Sequence, residues 1–173
     1  MQTQYLLCAY GPDRPGIVEA LSDIAVRENF SISDSRMAVL GDHFSVLMLL
    51  NGPQEGAEEM KKAVAALKGL TVSLKEVRGR SVKDDVFEYS IRIVGEDHAG
   101  IVHEVTNYLK ARDANVLSLD TSTGHAPHSG TQLFRMDMIV EVPKKANLRT
   151  FKSGLTELCD RLNMDVDAEQ AGV

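Results

Sequence analysis

The pattern Gly-x-Asp-x-x-Gly-Ile-Val occurs twice in this chain, as GPDRPGIV at residues 11–18 and as GEDHAGIV at residues 95–102. The second copy follows the first by 84 residues, and the same offset aligns Asn29 with Asp113. A repeat of this length corresponds to one small domain. The sequence therefore predicts two copies of a single module.

Each copy predicts the element order β-α-β-β-α-β. Alternating apolar residues indicate strands, and apolar residues spaced three and four apart indicate helices. In the first copy these segments are strands at 3–10, 32–40, 44–50 and 70–77 and helices at 17–25 and 57–67. The second copy has strands at 87–93, 116–120, 134–142 and 164–168 and helices at 101–109 and 148–162. The predicted fold class is α+β, with two ferredoxin-like βαββαβ modules, each an antiparallel sheet with its helices on one face.

The boundaries follow from polar and turn-forming segments. The predicted domains are residues 1–80 and 86–173, and the polar segment 81–85 is the predicted linker. Gly41-Asp42 predicts a tight hairpin turn in the first module. The second module has a longer loop in its place, expected at 123–130, and Asn51-Gly52-Pro53 is expected to end the third strand.

The composition excludes several classes of function. The net charge of the 173 residues is −6 and there is no Lys/Arg run, so direct nucleic-acid binding is not expected. No secretory signal region and no apolar stretch of the ~20 residues that span a membrane are present. We expect a cytoplasmic protein with no membrane partner, in which Cys8 and Cys159 are reduced core thiols.

The sequence contains no recognisable catalytic constellation. It lacks a nucleophile–base pair, a phosphate-binding loop and a cluster with metal-ligand spacing, so we expect no enzyme activity, no cofactor and no metal. His125 and His128 are close in sequence, but no carboxylate or thiol accompanies them. A solvated or partner-facing loop is the favoured interpretation of this pair.

Among modules with this element order, the two turns point to one family. Aromatic, basic strand motifs of RNA-recognition modules are absent, and neither first loop carries the Cys-x-x-Cys of metal carriers. The segment Asp13-Arg14-Pro15-Gly16 resembles the Asp-basic-Pro-Gly turn of the ACT domain, an amino-acid-binding regulatory module. The segment Asp97-His98-Ala99-Gly100 departs from it by having Ala99 in place of Pro. Two such domains without a catalytic domain, with the loop 126–130, are similar to the glycine cleavage system transcriptional repressor family.

A physical argument also places a ligand at these turns. Asp13 and Asp97 fall where a helix N-cap is expected, and Gly16 and Gly100 leave the backbone N–H groups of the helix start uncovered. The α-carboxylate of an amino acid suits such a position. A purely structural helix start is the alternative interpretation of the same residues.

The candidate ligand-binding residues come from the two turns and one following strand. They are Asp13, Arg14, Pro15, Gly16 and Ile17 in the first turn, Asp97, His98, Ala99, Gly100 and Ile101 in the second, and Asn115, which we expect beside the second turn.

The resemblance implies an amino-acid-sensing regulator that represses transcription of the glycine cleavage system through protein contact. It implies glycine as the effector and a transcription factor as the partner. A detached regulatory subunit of an amino-acid-metabolising enzyme is the alternative. The sequence leaves open which amino acid binds, whether both turns are occupied, and whether the modules pair within one chain or between the chains of a homodimer.

Overall fold

The structure is a computed structural model that describes residues 2–81, 84–125 and 130–171. The chain divides into two compact units, residues 1–81 and 82–173. Within the described ranges, none of the helices combines the length and the apolarity that a membrane crossing requires.

Both units have the predicted order of elements. The first unit contains β1 (Gln2–Pro12), α1 (Ile17–Arg27), β2 (Ser31–Leu40), β3 (His43–Pro53), α2 (Ala57–Ala65) and β4 (Thr71–Val77), with a short 3-10 helix at Gln54–Gly56 before α2. The second unit contains β5 (Val86–Glu96), α3 (Ile101–Lys110), β6 (Asn115–His125), β7 (Gln132–Pro143), α4 (Leu148–Arg161) and β8 (Met164–Gln170).

Each unit forms one four-stranded antiparallel sheet with the same strand order. The orders are β2-β3-β1-β4 and β6-β7-β5-β8, so the first strand of each unit lies in the centre of its sheet. Side chains alternate between the two faces of a strand, and on β1 the buried residues Tyr5, Leu7 and Ala9 join Leu21 and other helix residues in the core. The predicted fold class is confirmed.

The repeat seen in the sequence is also present in the backbone. Asn29 and Asp113, at equivalent positions after the first helix of each unit, have left-handed φ values of 61° and 56°. Each edge strand that follows carries a register shift, between Ile32 and Asp34 in β2 and between Val116 and Ser118 in β6. The two modules therefore share their irregular features as well as their regular elements.

The two cysteines occupy different environments. Cys159 is fully buried in the core of the second unit, and this burial raises the pKa of its thiol to about 11. Cys8 is only partly buried and lies on β1 between the core residues Leu7 and Ala9, so its side chain points to the opposite face of the sheet. Both thiols are free, but the expectation that both are core residues is wrong for Cys8.

Two strands extend beyond their predicted ends. β3 continues through Asn51-Gly52-Pro53 and pairs there with β1, because Gly52 lets the strand approach the Phe30 ring, which a Cβ atom would overlap. β6 continues to His125 and pairs with the start of β7, so the first three residues of the expected loop 123–130 are strand. Residues 126–129, which include His128, lie outside the described residues.

Candidate functional site

The repeated turn connects the central strand of each sheet to the first helix. β1 ends at Pro12 and α1 begins at Ile17, and β5 ends at Glu96 and α3 begins at Ile101. The last turn residue has a left-handed backbone in both units, with φ 90° at Gly16 and φ 101° at Gly100. A Cβ atom there would meet no neighbour within 4 Å, so the backbone conformation and not crowding requires glycine.

Asp13 and Asp97 do not cap the helices, contrary to the expectation from the sequence. The cap positions are Gly16 and Gly100, which have no side chain, so neither helix has a side-chain N-cap. The Asp backbones instead anchor each turn to the neighbouring hairpin, where Asp13 N–H donates to Asp42 O at 2.9 Å and Asp97 N–H donates to Gln132 O at 3.1 Å. The glycine with positive φ turns the chain between the Asp and the helix, which moves the carboxylate away from the cap position.

Each turn therefore presents free N–H donors at the helix start and a free carboxylate acceptor. The first intrahelical bond of α1 runs from Ala20 N–H to Gly16 O, so the N–H groups of residues 17–19 precede the hydrogen-bond ladder. In α3 the equivalent first bond runs from Glu104 N–H to Gly100 O. Within the described part of the chain, the carboxylates of Asp13 and Asp97 make no hydrogen bond or ion pair. An uncapped helix N-terminus favours an anion, and a free carboxylate favours a cation.

The basic residue of each turn fixes its position. Arg14 Nη2 donates to Lys68 O at 3.2 Å, and the His98 ring bonds at 3.1 Å from Nε2 to Leu162 O, which requires a proton on Nε2. Lys68 and Leu162 occupy equivalent places, each one residue before a left-handed residue that leads to the last strand. Arg14 and His98 thus attach the turn to the segment between the second helix and the last strand of their unit.

The first glycine of the motif allows this close approach. A Cβ atom on Gly11 would overlap the carbonyl oxygen of Gly69, and one on Gly95 would lie 2.6 Å from Asn163 O. Both glycines therefore let the end of the central strand contact the turn before the last strand. Their role is in packing.

Within each unit the five predicted turn residues lie together. Asp13 to Gly16 are exposed, whereas Ile17 and Ile101 are 3% and 2% exposed, so these two offer only backbone groups to a ligand. Val18 and Val102, which we did not predict as site residues, are both 38% exposed at the start of the helix. The repeated Val of the motif was the feature of the sequence that could have indicated them.

Asn115 does not lie beside the turn of its own unit. It begins β6 and pairs with Glu141, which pairs with Glu88, whereas the turn follows Gly95. These two β5 positions are seven residues apart, which at about 3.3 Å per residue is roughly 23 Å. Helix α3 lies in the chain between the turn and β6. The prediction that Asn115 lies close to the turn of its own unit is therefore wrong. Asn115 Nδ2 instead donates to Glu141 Oε2 at 3.3 Å.

Three charged side chains form a cluster on the second sheet. Asp137 of β7 accepts bonds from Arg135 Nε and Arg92 Nε, and these two bonds lower the pKa of Asp137 to about 2. No group of three or more His, Cys, Asp or Glu side chains in the described ranges has the arrangement of a metal site. His125, at the end of β6, is exposed.

Asp137 is expected to make unfolding depend on acid. Its pKa is lower in the folded chain than the ordinary 3.8, so its stabilising effect is complete above pH 4 and is lost as the pH falls towards 2. The loss is less than about 1 kcal/mol because the side chain is 37% exposed and screened by solvent. Urea unfolding at pH 4 and pH 2 should show a smaller loss in Asp137→Asn than in the wild type. Asp165→Asn, on the same sheet, should behave as the wild type, and an equal loss in Asp137→Asn would contradict the assignment.

Comparison with known proteins agrees with this geometry. Residues 3–74 match the family model of the ACT domain. Over 166 residues the chain is 25% identical to the glycine cleavage system transcriptional repressor of Escherichia coli (strain K12). The aligned region covers 94% of this chain and 87% of that relative. The protein of the same name from Shigella flexneri matches with the same identity and coverage.

Two crystal structures match over almost the whole chain. One is of an unknown protein from Galdieria sulphuraria, with a TM-score of 0.88 and 29% identity over 99% of this chain and 100% of that one. The other is provisionally assigned to a glycine cleavage system transcriptional repressor, with a TM-score of 0.69 and 20% identity over 100% of this chain and 99% of that one. At 20% identity the latter supports the fold alone.

These similarities support a regulatory protein that senses an amino acid. The family model covers most of the first unit, and the second unit repeats its element order, its strand order and its turn. The chain consists of two ACT-like modules, the first of which matches the family model of the ACT domain, and over nearly its whole length it resembles the glycine cleavage system transcriptional repressors.

Proposed function

We propose that this protein is a cytoplasmic, non-enzymatic regulator that binds a small amino acid at its Asp-x-x-Gly turns and changes its contact with a protein partner. One observation carries the proposal: each turn places a free carboxylate three residues before an uncapped helix N-terminus. These two groups match the two charges that every free amino acid carries.

The chemistry of the turn suits a zwitterion. The α-carboxylate of the ligand accepts hydrogen bonds from the N–H groups at the start of α1 or α3, where the helix dipole favours negative charge by about 0.3–1 kcal/mol. The α-ammonium donates to the carboxylate of Asp13 or Asp97. Gly16 and Gly100 carry no side chain, so the ligand can approach the backbone.

The turns are held in place before a ligand arrives. The backbone bond from Asp13 to Asp42 and the side-chain bond from Arg14 to Lys68 join the first turn to two other loops of its unit. The second turn has the equivalent bonds from Asp97 and His98. A positioned turn loses little conformational freedom on binding, which favours affinity for a small ligand. Pro15 further restricts the first turn, so we propose that it binds more tightly than the second.

We propose glycine as the effector and a transcription factor as the partner. The relatives named above are described as transcriptional repressors of the glycine cleavage system, and the match extends over both units. The net charge of −6 disfavours direct contact with DNA and suits repression through a bound protein.

Affinity capture tests the regulatory role. The tagged full-length chain is expected to retain a transcription factor from native cell extract, identified by mass spectrometry, and added glycine should change the amount retained. The Asp13→Asn/Asp97→Asn variant should retain the same factor without responding to glycine. The purified chain alone should give no specific gel shift with operator DNA at physiological salt.

Other outcomes of the capture would contradict the proposal. Retention of an amino-acid-metabolising enzyme would identify the chain as a detached regulatory subunit. A sequence-specific gel shift by the chain alone would make it a DNA-binding protein.

A further inference from the structure

The sheet of the first unit has an apolar open face, defined as the face opposite the one that packs on α1 and α2. Leu6 of β1 lies beside Leu49 of β3, and Leu47, 48% exposed, is the next residue of β3 on the same face. With Asp34 and Arg36 of β2 these leucines line a shallow cleft of about 240 Å³. An antiparallel sheet whose second face meets water normally carries polar residues there.

The second unit is more polar at the equivalent positions. Cys8 pairs with Leu47 across β1 and β3, and Arg92 pairs with Asp137 across β5 and β7. Arg92 and Asp137 form a salt bridge of 2.7 Å, which Arg135 extends. The charged pair of one module is thus an apolar pair in the other. In the next row Ser90 pairs with Ile139 where Leu6 pairs with Leu49, so the first unit has the more apolar face.

We propose that the open face of the first unit is the contact surface of a homodimer, in which it packs against the same face of a second copy of the chain. An apolar face requires an apolar occupant, because burying unpaired charges against leucines is unfavourable. A second copy offers an identical row of leucines. This inference concerns assembly and does not rest on the proposed ligand.

The register of the strands shows how two copies fit. Arg36 pairs with Leu47 in one row across the sheet, and Asp34 pairs with Leu49 in the next row. A twofold axis perpendicular to the strands and between these rows places each row over the other row of the partner subunit. Leucine then packs on leucine at the ~10 Å spacing of stacked sheets.

The same axis makes the charges self-complementary. Arg36 and Asp34 lie on one face of β2 with side-chain exposures of 75% and 58%, and they pair with each other at 2.5 Å within the chain. Across the axis Arg36 lies over Asp34 of the partner subunit, so two opposite charges meet on each side of the axis along β2. In an interface with twofold symmetry, if one residue contacts a second residue of the other copy, the reverse contact also forms. The charges favour a second copy over an unrelated apolar surface.

The oligomeric state of the full chain tests the proposal. Sedimentation equilibrium of the wild type at micromolar concentration should give twice the monomer mass of 19.0 kDa. Leu47→Asp, which copies the residue at the equivalent position of the second unit, should weaken dimerisation by at least ~100-fold because it buries an unpaired charge on each side. Val26→Asp, on a residue 73% exposed on α1, is the matched control and should remain dimeric.

A charge reversal tests the twofold arrangement without touching the leucines. Arg36→Asp should weaken the dimer because two acidic side chains then face each other across the axis. Adding Asp34→Arg should restore the dimer because opposite charges then face each other again, with their positions exchanged. Circular dichroism confirms that each variant is folded. A monomeric wild type, a dimeric Leu47→Asp variant, or a double variant as weak as Arg36→Asp would overturn the proposal.

Discussion

Replacing Gly11 or Gly95 with Ala is expected to lower the free energy of unfolding by about 1–3 kcal/mol, the ordinary cost of overpacking a closely packed site. The new Cβ would overlap Gly69 O in the first case and would lie 2.5 Å from Met164 Sδ in the second. In both variants the new Cβ also meets a backbone oxygen that cannot rotate away, Gly69 O or Asn163 O. The overlap with Gly69 O is the deeper of the two, so Gly11→Ala should be the more damaging change. Urea unfolding followed by far-UV circular dichroism measures both effects.

Gly124→Ala is the matched control for these two variants. Gly124 also lies in a strand, but a Cβ atom there meets nothing within 4 Å and its φ is not left-handed. Its free energy of unfolding should stay within about 0.5 kcal/mol of the wild type. Unfolding midpoints of Gly11→Ala and Gly95→Ala equal to that of the control would show that the close approach is not required.

The fold could be predicted from the sequence because it depends on local patterns and on repetition. Apolar residues at every second position indicate strands, and apolar residues three or four apart indicate helices, so both patterns can be read directly from the sequence. The offset of 84 residues also let the prediction for one module be checked against the other. Errors arose where tertiary contacts decide. Nothing local shows that Gly52 makes room for Phe30 and lets β3 continue to Pro53.

The candidate site could be predicted from the sequence only in part. The turn residues are adjacent in sequence, so the motif located them, but the direction of the chain at Gly16 decides that Asp13 is not a cap. Asn115 was misplaced because its position depends on the length of the helix that separates it from the turn. The apolar face around Leu47 was not foreseen, since it appears only when strand register places residues of β1, β2 and β3 side by side.

Amino-acid binding is expected to depend on Asp13 and Asp97. Replacing either carboxylate with Asn removes a charge-assisted hydrogen bond to the ligand ammonium, worth about 1.5–3 kcal/mol, which corresponds to roughly 10- to 150-fold in affinity. Neither side chain caps a helix or pairs within the described residues, so the variants should unfold like the wild type. The effect should be larger at Asp13, whose turn also contains Pro15.

Gly16 is a less suitable position for this test. Its φ of 90° strains any branched side chain, so loss of binding in Gly16→Val could come from a distorted turn. Asn tolerates the left-handed region better than other side chains, and Gly16→Asn should therefore fold while its side chain crowds the helix start. Reduced affinity in this folded variant would support the same site independently.

Isothermal titration calorimetry of glycine and a panel of other amino acids into the wild type and the Asp13→Asn/Asp97→Asn variant tests the central claim most directly. We predict that glycine binds the wild type and that its affinity falls by at least ~10-fold in the folded double variant. Equal affinity in the two proteins, or no binding of any amino acid to the wild type, would contradict the assignment of the turns as ligand sites.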